Sequence, residues 1–299
     1  MNIRTGDRVA AARQSGRPII ALETTVITHG LEPPDNLEVA LAMEQTILDQ
    51  GCCPATLGIL DGELVVGMSR SELELFSANA QSVSKCSRRD LPVVVGHSGH
   101  GSLTVAGTMW AAHRANIDVM ATGGIGGVHR GHPFDVSADL TELGRTPVAV
   151  VCAGAKSILD LPLTMEVLET QGVPVIGLGT DTLPAFFHGD SGIALAASAD
   201  LDGAAATLAA WRKLPPEQGL LFTVPVPPGH ALETEEAERA IGQATAEADE
   251  QGITGSRVTP FVLKRVAELT DGRSVAANKA LLINNARVAA RLALGSVEH

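Results

Sequence analysis

The chain has 299 residues, of which 45% are hydrophobic and 19% charged, and it carries a formal net charge of -12. This composition is that of a folded globular protein with enough residues to bury a substantial core, in one large domain or two small ones. The negative charge repels polyphosphate, which argues against nonspecific binding to nucleic acid or acidic membranes, so any phosphate must be bound by a local site.

The first 18 residues are polar and charged and lack the apolar core of a secretory signal. No apolar run approaches the length of a membrane span, so we expect a cytoplasmic protein. The four cysteines include no CxxC pair, and we expect them to be small buried side chains: Cys52, Cys53, Cys86 and Cys152.

Short β-branched apolar runs alternate with helical patterns, which is typical of a parallel sheet covered by helices. The predicted strands lie in the runs at 18–22, 55–60, 91–96, 118–124, 147–154 and 173–179. Because these runs are continuously apolar, both faces of the sheet should be buried. The sequence contains no linker and no internal repeat, so we expect a single domain over 1–299 with a three-layer α/β/α fold.

Two stretches predict helices. Residues 35–51 form an amphipathic pattern that Gly51 ends, and Asp35 with Glu38 could form a capping box at its start. Beyond residue 230 the pattern is helical without intervening strands. These C-terminal helices are expected to close over the sheet or to carry subunit contacts.

Ligands of open parallel sheets gather at the carboxyl ends of the strands. Glu23 follows the first run, the glycine-rich segment 122–130 follows the fourth, and Lys156 follows the fifth. A lysine that is desolvated at such a place has a lowered pKa and can attack a carbonyl carbon, although most lysines at strand ends point into solvent. Glu23 could be a general acid or only the ion-pair partner of the lysine.

The glycine-rich segment matches neither GxGxxG nor GxxxxGK[ST], so a dinucleotide or ATP site is disfavoured. Its backbone N–H groups could cradle a single phosphate, with His129 and Arg130 adding charge-assisted contacts. The glycines could equally serve only the geometry of a tight turn.

Asp135 and Asp139 stand four residues apart directly after this segment. Carboxylates with few soft ligands nearby favour a hard cation such as magnesium or manganese. Asp139 could instead be the N-cap of the helix that follows, which is the commoner use of such an aspartate.

Several long motifs resemble the pseudouridine-5'-phosphate glycosidase family, also called the indigoidine synthase A-like family, over residues 18–292. The motifs that carry the resemblance are LETTVITHG, SKCSRRDLP, ATGGIGGVHRG, FDVSADL, CAGAKSILDLP, LPAFF and TPFVLKRVAELT.

This resemblance implies an α/β/α fold, a homotrimer, and a divalent metal, usually manganese, near the phosphate of the substrate. Glu23 then matches the proton donor, Lys156 the covalent nucleophile and Asp135 the metal ligand. Further positions match substrate-binding residues: Lys85, Val105, Ser137, Ala138, Asp139 and Asn278.

The sequence departs from the family pattern at three places. Thr24 stands where the family often has serine, and Leu103 stands where a hydroxyl residue is common. The first change keeps the hydroxyl group, whereas the second removes one contact near Val105. The loop from Arg130 to Phe134 looks shorter than in some relatives.

The implied reaction is the reversible cleavage of pseudouridine 5'-phosphate to uracil and ribose 5-phosphate. Because its base is attached through carbon, paired carboxylates alone are poorly suited to the task. Once the ribose ring opens, C1' can form an imine with Lys156, whose cationic nitrogen acts as an electron sink. One alternative is a class I aldolase-like sugar-phosphate lyase, in which borohydride would trap a keto-sugar phosphate in place of ribose 5-phosphate. The other is a non-catalytic sugar-phosphate-binding module, which would show no turnover.

Overall fold

A computed structural model describes residues 2–253 and 255–297 of the chain. Its strands, in chain order, are β1 (Ile3–Thr5), β2 (Ile19–Leu22), β3 (Cys53–Leu60), β4 (Glu63–Val66), β5 (Ser84–Cys86), β6 (Gly101–Leu103), β7 (Val119–Ala121), β8 (Val128–His129), β9 (His132–Val136), β10 (Ala149–Cys152), β11 (Leu159–Asp160), β12 (Val175–Leu178), β13 (Ala197–Ala199) and β14 (Leu220–Thr223).

The helices alternate with the strands in the first two thirds of the chain. They are α1 (Asp7–Ser15), α2 (Asp35–Asp49), α3 (Arg70–Ala78), α4 (Leu91–Gly96), α5 (Val105–Arg114), α6 (Ala138–Leu143), α7 (Leu161–Thr170), α8 (Leu201–Lys213), α9 (Thr234–Glu250), α10 (Val258–Leu269) and α11 (Arg273–Gly295). No helix in the described part of the chain is long and apolar enough to cross a membrane.

The main sheet has eleven strands and is mostly parallel, with the order β1-β4-β3-β2-β7-β10-β14-β12-β13 and the pair β5-β6 joined to β3. Only the pairings of β3 with β4 and with β6 are antiparallel within it. Both α5 and α11 pack on β2 and β7, and α11 also packs on α2 and α8. The predicted α/β fold, a mostly parallel central sheet flanked by helices, is confirmed.

A small antiparallel sheet of β11, β8 and β9 lies beside the main sheet. The turn between β8 and β9 consists of Arg130 and Gly131, and Gly131 has a φ of 74° that favours glycine. The short loop noted in the sequence is therefore a tight hairpin turn. It fixes the position of the strand that carries Asp135.

Five of the six predicted strands are confirmed, and the run at 91–96 is wrong because it forms α4. Pro92 lies in the first turn of this helix, where its missing N–H costs nothing. Leu91 and Val94, one turn apart, are buried, whereas Val93 is 61% exposed. The residues thus follow a helical period in spite of their β-branched side chains.

The helix predicted at 35–51 is confirmed as α2, but its capping box is wrong. Pro34 occupies the N-cap position and no side chain caps the helix. The carboxylate of Asp35 instead accepts a 2.6 Å bond from Lys279 Nζ, which ties α2 to α11. All four cysteines are buried and free, as predicted.

Candidate active site

One cavity of about 480 Å³ lies at the carboxyl ends of β2, β7 and β10. It brings together ten of the eleven residues singled out in the sequence. These are Glu23, Lys85, Val105, His129, Asp135, Ser137, Ala138, Asp139, Lys156 and Asn278. Segments that are far apart in the chain therefore supply one site, as the rule for parallel sheets predicts.

Glu23 follows β2 and is oriented by two hydroxyl groups. Thr25 Oγ1 donates to one carboxylate oxygen, and Thr122 Oγ1, at the end of β7, donates to the other. Thr24 points the other way: its hydroxyl donates to Leu57 O and accepts from the Leu103 backbone N–H, both at 2.8 Å. The carboxylate is thus fixed in the cavity, and the hydroxyl retained at Thr24 holds strands together.

Lys156 is placed by a turn after β10. Gly154 has a φ of 81°, and a Cβ there would lie 2.2 Å from Pro184 O, so this turn requires glycine. The backbone N–H of Lys156 donates to Ile125 O at 3.1 Å. No described side chain forms a hydrogen bond or ion pair with its amine, which leaves the amine available to a ligand.

Lys85 extends from β5 into the same space. Burial lowers the pKa of Lys85 below its ordinary value, and the charge of Lys156 lowers it further, while Asp139 and Glu23 oppose the shift. The two lysines and two carboxylates therefore lie close enough to interact electrostatically. The two lysines allow the site to bind an anionic substrate, although the net charge of the whole chain is -12.

The two aspartates of the 135–139 segment have different roles. Asp139 is 6% exposed, and its carboxylate accepts from Ala106 N at 2.9 Å and Gly126 N at 2.8 Å. It joins the start of α5 to the glycine segment. The alternative that Asp139 is the N-cap of α6 is wrong, because Ser137 Oγ is the cap and accepts from Asp139 N at 3.2 Å.

Asp135 is the more open carboxylate. Its side chain is 44% exposed, and its Oδ2 lies 3.1 Å from His129 Nδ1. Within residues 2–253 and 255–297 no group of three or more His, Cys, Asp or Glu side chains could hold a metal ion. Asp135 nevertheless fits a hard cation that is held by one carboxylate and otherwise by water and substrate oxygens.

The glycine segment packs against protein atoms. A Cβ on Gly124 would lie 2.7 Å from the Phe186 ring, and one on Gly126 would lie 2.3 Å from Ser137 Oγ. The N–H groups of Ile125 and Gly126 already donate to Gly154 O and Asp139 Oδ2. The glycines at 124 and 126 thus serve close packing, which favours the turn interpretation over a phosphate cradle at these positions.

Gly126→Ala should destabilise the fold by about 1–3 kcal/mol, because the added methyl group overpacks the contact with Ser137 and Asp139. Thermal unfolding measures this change. Gly242→Ala is the matched control, since nothing lies within 4 Å of a Cβ at that helical position and it should be neutral or stabilising. Equal melting temperatures for the two variants would show that the glycine contact is unimportant.

Arg130 is the one predicted residue that the structure does not bring to the cavity. Its guanidinium donates to Ser157 O at 2.6 Å and Leu159 O at 3.1 Å, and it pairs with Glu238 at 2.9 Å. It therefore holds the segment that follows Lys156 and lines a different, open cavity. An arginine whose donors are spent in this way is not a phosphate ligand of the cavity that contains Lys156.

The C-terminal helices close the cavity. Asn278 on α11 and Thr259 and Leu263 on α10 line it, which confirms that these helices cover the sheet. Asn285 was missed by the sequence analysis. Its Nδ2 donates to Thr122 O at 2.8 Å and Gly123 O at 3.3 Å, so α11 fixes the backbone beside Glu23. It is one of three asparagines in α11, with Asn278 and Asn284, so its residue type alone did not single it out.

Val105 lines the cavity at the first turn of α5, whereas Leu103 does not reach it. The side chain of Leu103 is fully buried in the hydrophobic core. The substitution of a hydroxyl residue by Leu103 thus leaves the wall of the cavity unchanged.

His29 is a second residue that the sequence analysis missed, although it stands within the LETTVITHG motif. It lies on a single π-helical turn, Val26–Gly30, and lines the cavity. Burial, followed by the charge of Lys85, lowers the pKa of His29 to about 4. The imidazole is therefore neutral at physiological pH.

A half-buried lysine with an open amine, beside an oriented carboxylate at the edge of a parallel sheet, defines a class: an α/β enzyme with a small-molecule site. Within that class, the chain belongs to the indigoidine synthase A-like family, because the family model described as "Indigoidine synthase A like protein" matches residues 8–295.

Curated relatives and solved structures agree with this assignment. The chain is 50% identical to the pseudouridine-5'-phosphate glycosidase of Chloroflexus aurantiacus, over 98% of both chains. It is 47% identical to that of Staphylococcus aureus, over 96% of this chain and 94% of the relative.

Among solved structures, the prealnumycin C-glycosynthase AlnA in complex with ribulose 5-phosphate has a TM-score of 0.90 and 37% identity, over 100% of this chain and 98% of that one. An indigoidine synthase A-like protein from Thermotoga maritima has a TM-score of 0.88 and 33% identity, over 98% of this chain and 96% of that one.

Proposed function

We propose that this protein is a pseudouridine-5'-phosphate glycosidase that cleaves the C–C glycosidic bond reversibly, giving uracil and ribose 5-phosphate. The observation that carries the proposal is the meeting of Lys156 and Glu23 in one cavity. Two relatives of this name, each 50% identical over nearly the whole chain, support it, as does a structural neighbour that is a C-glycosynthase.

Glu23 opens the reaction in the cleavage direction. Its protonated carboxyl group gives a proton to O4' of the ribose, and the bond between C1' and O4' breaks. The electron pair for this step comes from the uracil ring, which becomes conjugated with C1'. The two hydroxyl groups of Thr25 and Thr122 hold the carboxyl group in a fixed orientation, so little reorganisation is needed at this step.

Lys156 then adds its neutral amine to C1', and the electron pair returns to the uracil ring. The bond between C1' and uracil C5 breaks when the nitrogen lone pair forms an iminium ion with C1'. The proton that the nitrogen loses after adding to C1' returns to Glu23, and Glu23 then gives it to C5. Water hydrolyses the iminium ion, which releases ribose 5-phosphate and restores the amine. Condensation follows the same steps in reverse.

Asp135 is the residue that would hold the divalent cation. Its exposed carboxylate leaves room for water and phosphate oxygens, and the bound ion would neutralise phosphate charge and help to fix the substrate. Ser137, Ala138 and His129 lie beside it in the cavity wall. The cation is thus proposed to position the substrate rather than to activate a nucleophile.

Asp135→Asn should raise the manganese concentration needed for half-maximal activity by about tenfold or more, because the amide lacks the charge that a hard cation prefers. Manganese binding in the presence of ribose 5-phosphate, followed by electron paramagnetic resonance, should weaken in parallel. Asp61→Asn is the control, since Asp61 lies on an exposed turn. Full activity of chelator-treated wild-type enzyme would contradict the metal role.

The homotrimer and the cytoplasmic location belong to the same proposal. Phe134 is 99% exposed and Val136 is 38% exposed. They are two residues apart in β9, so their side chains lie on the same face of the strand. An apolar face of this kind supports a contact between subunits. The four free cysteines support a reducing compartment.

The function is tested by incubating the protein with uracil, ribose 5-phosphate and manganese. We expect the chromatographic peak of free uracil to shrink as a peak of pseudouridine 5'-phosphate appears, which mass spectrometry identifies. An aldolase-like lyase would instead react with a keto-sugar phosphate. A binding module would bind ribose 5-phosphate and give no product in either case.

A further inference from the structure

His29, which lines the cavity, is held by a chain of hydroxyl groups. Its Nδ1 lies 2.6 Å from Thr28 Oγ1, which lies 2.8 Å from Ser102 Oγ. Ser102 Oγ lies 3.4 Å from Ser84 O, at the start of the strand that carries Lys85. Ser102 is fully buried, whereas Thr28 and His29 are half-buried.

The hydroxyl group of Thr28 determines the tautomer of His29. Thr28 Oγ1 donates to Ser102 Oγ, which lies 3.4 Å from both Ser84 O and His29 Nδ1. Thr28 has one hydroxyl proton, which is then used, so it must accept from Nδ1. His29 therefore carries its proton on Nδ1 and has a lone pair on Nε2. No described residue forms a hydrogen bond with Nε2.

The π-helical turn that carries His29 is fixed by contacts with α2. Ile27 is fully buried, and its carbonyl accepts a 2.7 Å bond from the buried Asn36 amide on α2. Single π turns of this kind are frequent at functional sites. The imidazole thus has a defined position as well as a defined tautomer.

A neutral imidazole with a lone pair on Nε2 binds substrate groups that donate a hydrogen bond. A phosphate dianion offers only acceptors, so it would be repelled. Sugar hydroxyl groups can donate or accept, and they do not require a fixed tautomer. A ring N–H of uracil can only donate, and it is the substrate group that a permanent acceptor distinguishes.

The order of the strands indicates which part of the substrate lies near His29. Lys156 follows β10, and Asp135 belongs to the small sheet that also contains β11, which comes next after β10 in the chain. His29 follows β2, on the opposite side of Glu23, towards β3. With the phosphate near Asp135 and C1' between Lys156 and Glu23, the base extends towards His29.

We propose that His29 is a specificity-determining residue that binds the base, accepting a hydrogen bond from a ring N–H of uracil at its Nε2 atom. This inference rests on the proposed function. Its neutral state at working pH agrees with the pKa of about 4, because a protonated ring would have no lone pair to offer.

The test is the condensation reaction of three variants. His29→Phe keeps a ring but loses the acceptor, and it should lower kcat/KM for uracil by about 10- to 100-fold. His29→Gln can place its amide oxygen near the position of Nε2, so it should recover part of the loss. Thr28→Val removes the group that fixes the tautomer and should have a smaller effect of the same kind.

Borohydride trapping distinguishes an effect on sugar binding from an effect on base binding. Borohydride fixation of ribose 5-phosphate on the enzyme, without uracil, should be as fast in His29→Phe as in the wild type. His113→Phe, an exchange on the exposed face of α5, should change neither measurement.

A kcat/KM for uracil within twofold of the wild type in His29→Phe would overturn the proposal. So would an equal loss in trapping, which would place His29 on the sugar, or an equal loss in the Phe and Gln variants. Failure of the wild-type enzyme itself to consume uracil would instead count against the proposed function.

Discussion

Lys156→Arg should lower turnover of pseudouridine 5'-phosphate by at least about 10³-fold, which corresponds to roughly 4 kcal/mol of transition-state stabilisation. Guanidinium stays protonated and cannot attack carbon, so keeping the positive charge does not keep the reaction. Lys156→Ala should be equally inactive. Release of uracil, followed by chromatography, measures both.

The fold of these variants should remain intact, because the turn at Lys156 is held by its backbone bond to Ile125 O and by Gly154. Lys279→Arg is the matched control. Lys279 pairs with Asp35 on the outer side of α11, and arginine can keep that ion pair. An arginine variant at position 156 that works at close to the normal rate would exclude the amine as nucleophile.

Glu23→Gln should lower turnover by about 10²- to 10⁴-fold, the range expected when a positioned general acid is lost. The amide has nearly the same shape; it can accept from one of the two threonine hydroxyl groups and donate to the other, so the effect should arise from proton transfer. Binding of ribose 5-phosphate, measured by calorimetry, should change little by comparison.

Thr122→Val separates orientation from proton transfer at this position. It leaves the carboxyl group of Glu23 and removes one of the two hydroxyl groups that orient it. Its loss should be clearly smaller than that of Glu23→Gln. If the two variants were equally impaired, the role of Glu23 would be structural.

The sequence was sufficient for the sheet because burial on both faces leaves a strong signal. The continuous apolar runs of β2, β3, β7, β10 and β12 identified the centre of the fold, although the run at 220–223 that forms β14 was overlooked. Residues 91–96 show the limit of such signals. Val93, Val94 and Val95 have strand propensity, but Pro92 and the burial of one side only make the segment a helix.

The strand-end rule placed Glu23 and Lys156 together correctly, since they follow β2 and β10, the two parallel strands on either side of β7. It could not show how individual polar groups are used. Asp135 and Asp139 look alike in sequence, but one carboxylate is consumed by two backbone N–H groups and the other is open. Arg130 stands next to His129 in sequence, yet its donors are spent on Ser157, Leu159 and Glu238.

His29 and Asn285 could not be found without the tertiary structure. Each depends on partners far away in the chain: Ser102 lies 73 residues from His29, and Thr122 lies 163 residues from Asn285. A histidine or an asparagine in a short motif carries no information about such partners. The residues that orient a site are thus harder to predict from sequence than those that react in it.

Imine formation at Lys156 is tested by reducing the wild-type enzyme with borohydride in the presence of ribose 5-phosphate and analysing its peptides by mass spectrometry. If Lys156 is the nucleophile, there should be one adduct, in which the reduced sugar phosphate is attached to Lys156. An adduct on the neighbouring Lys85, or none under conditions where the enzyme turns over, would contradict it.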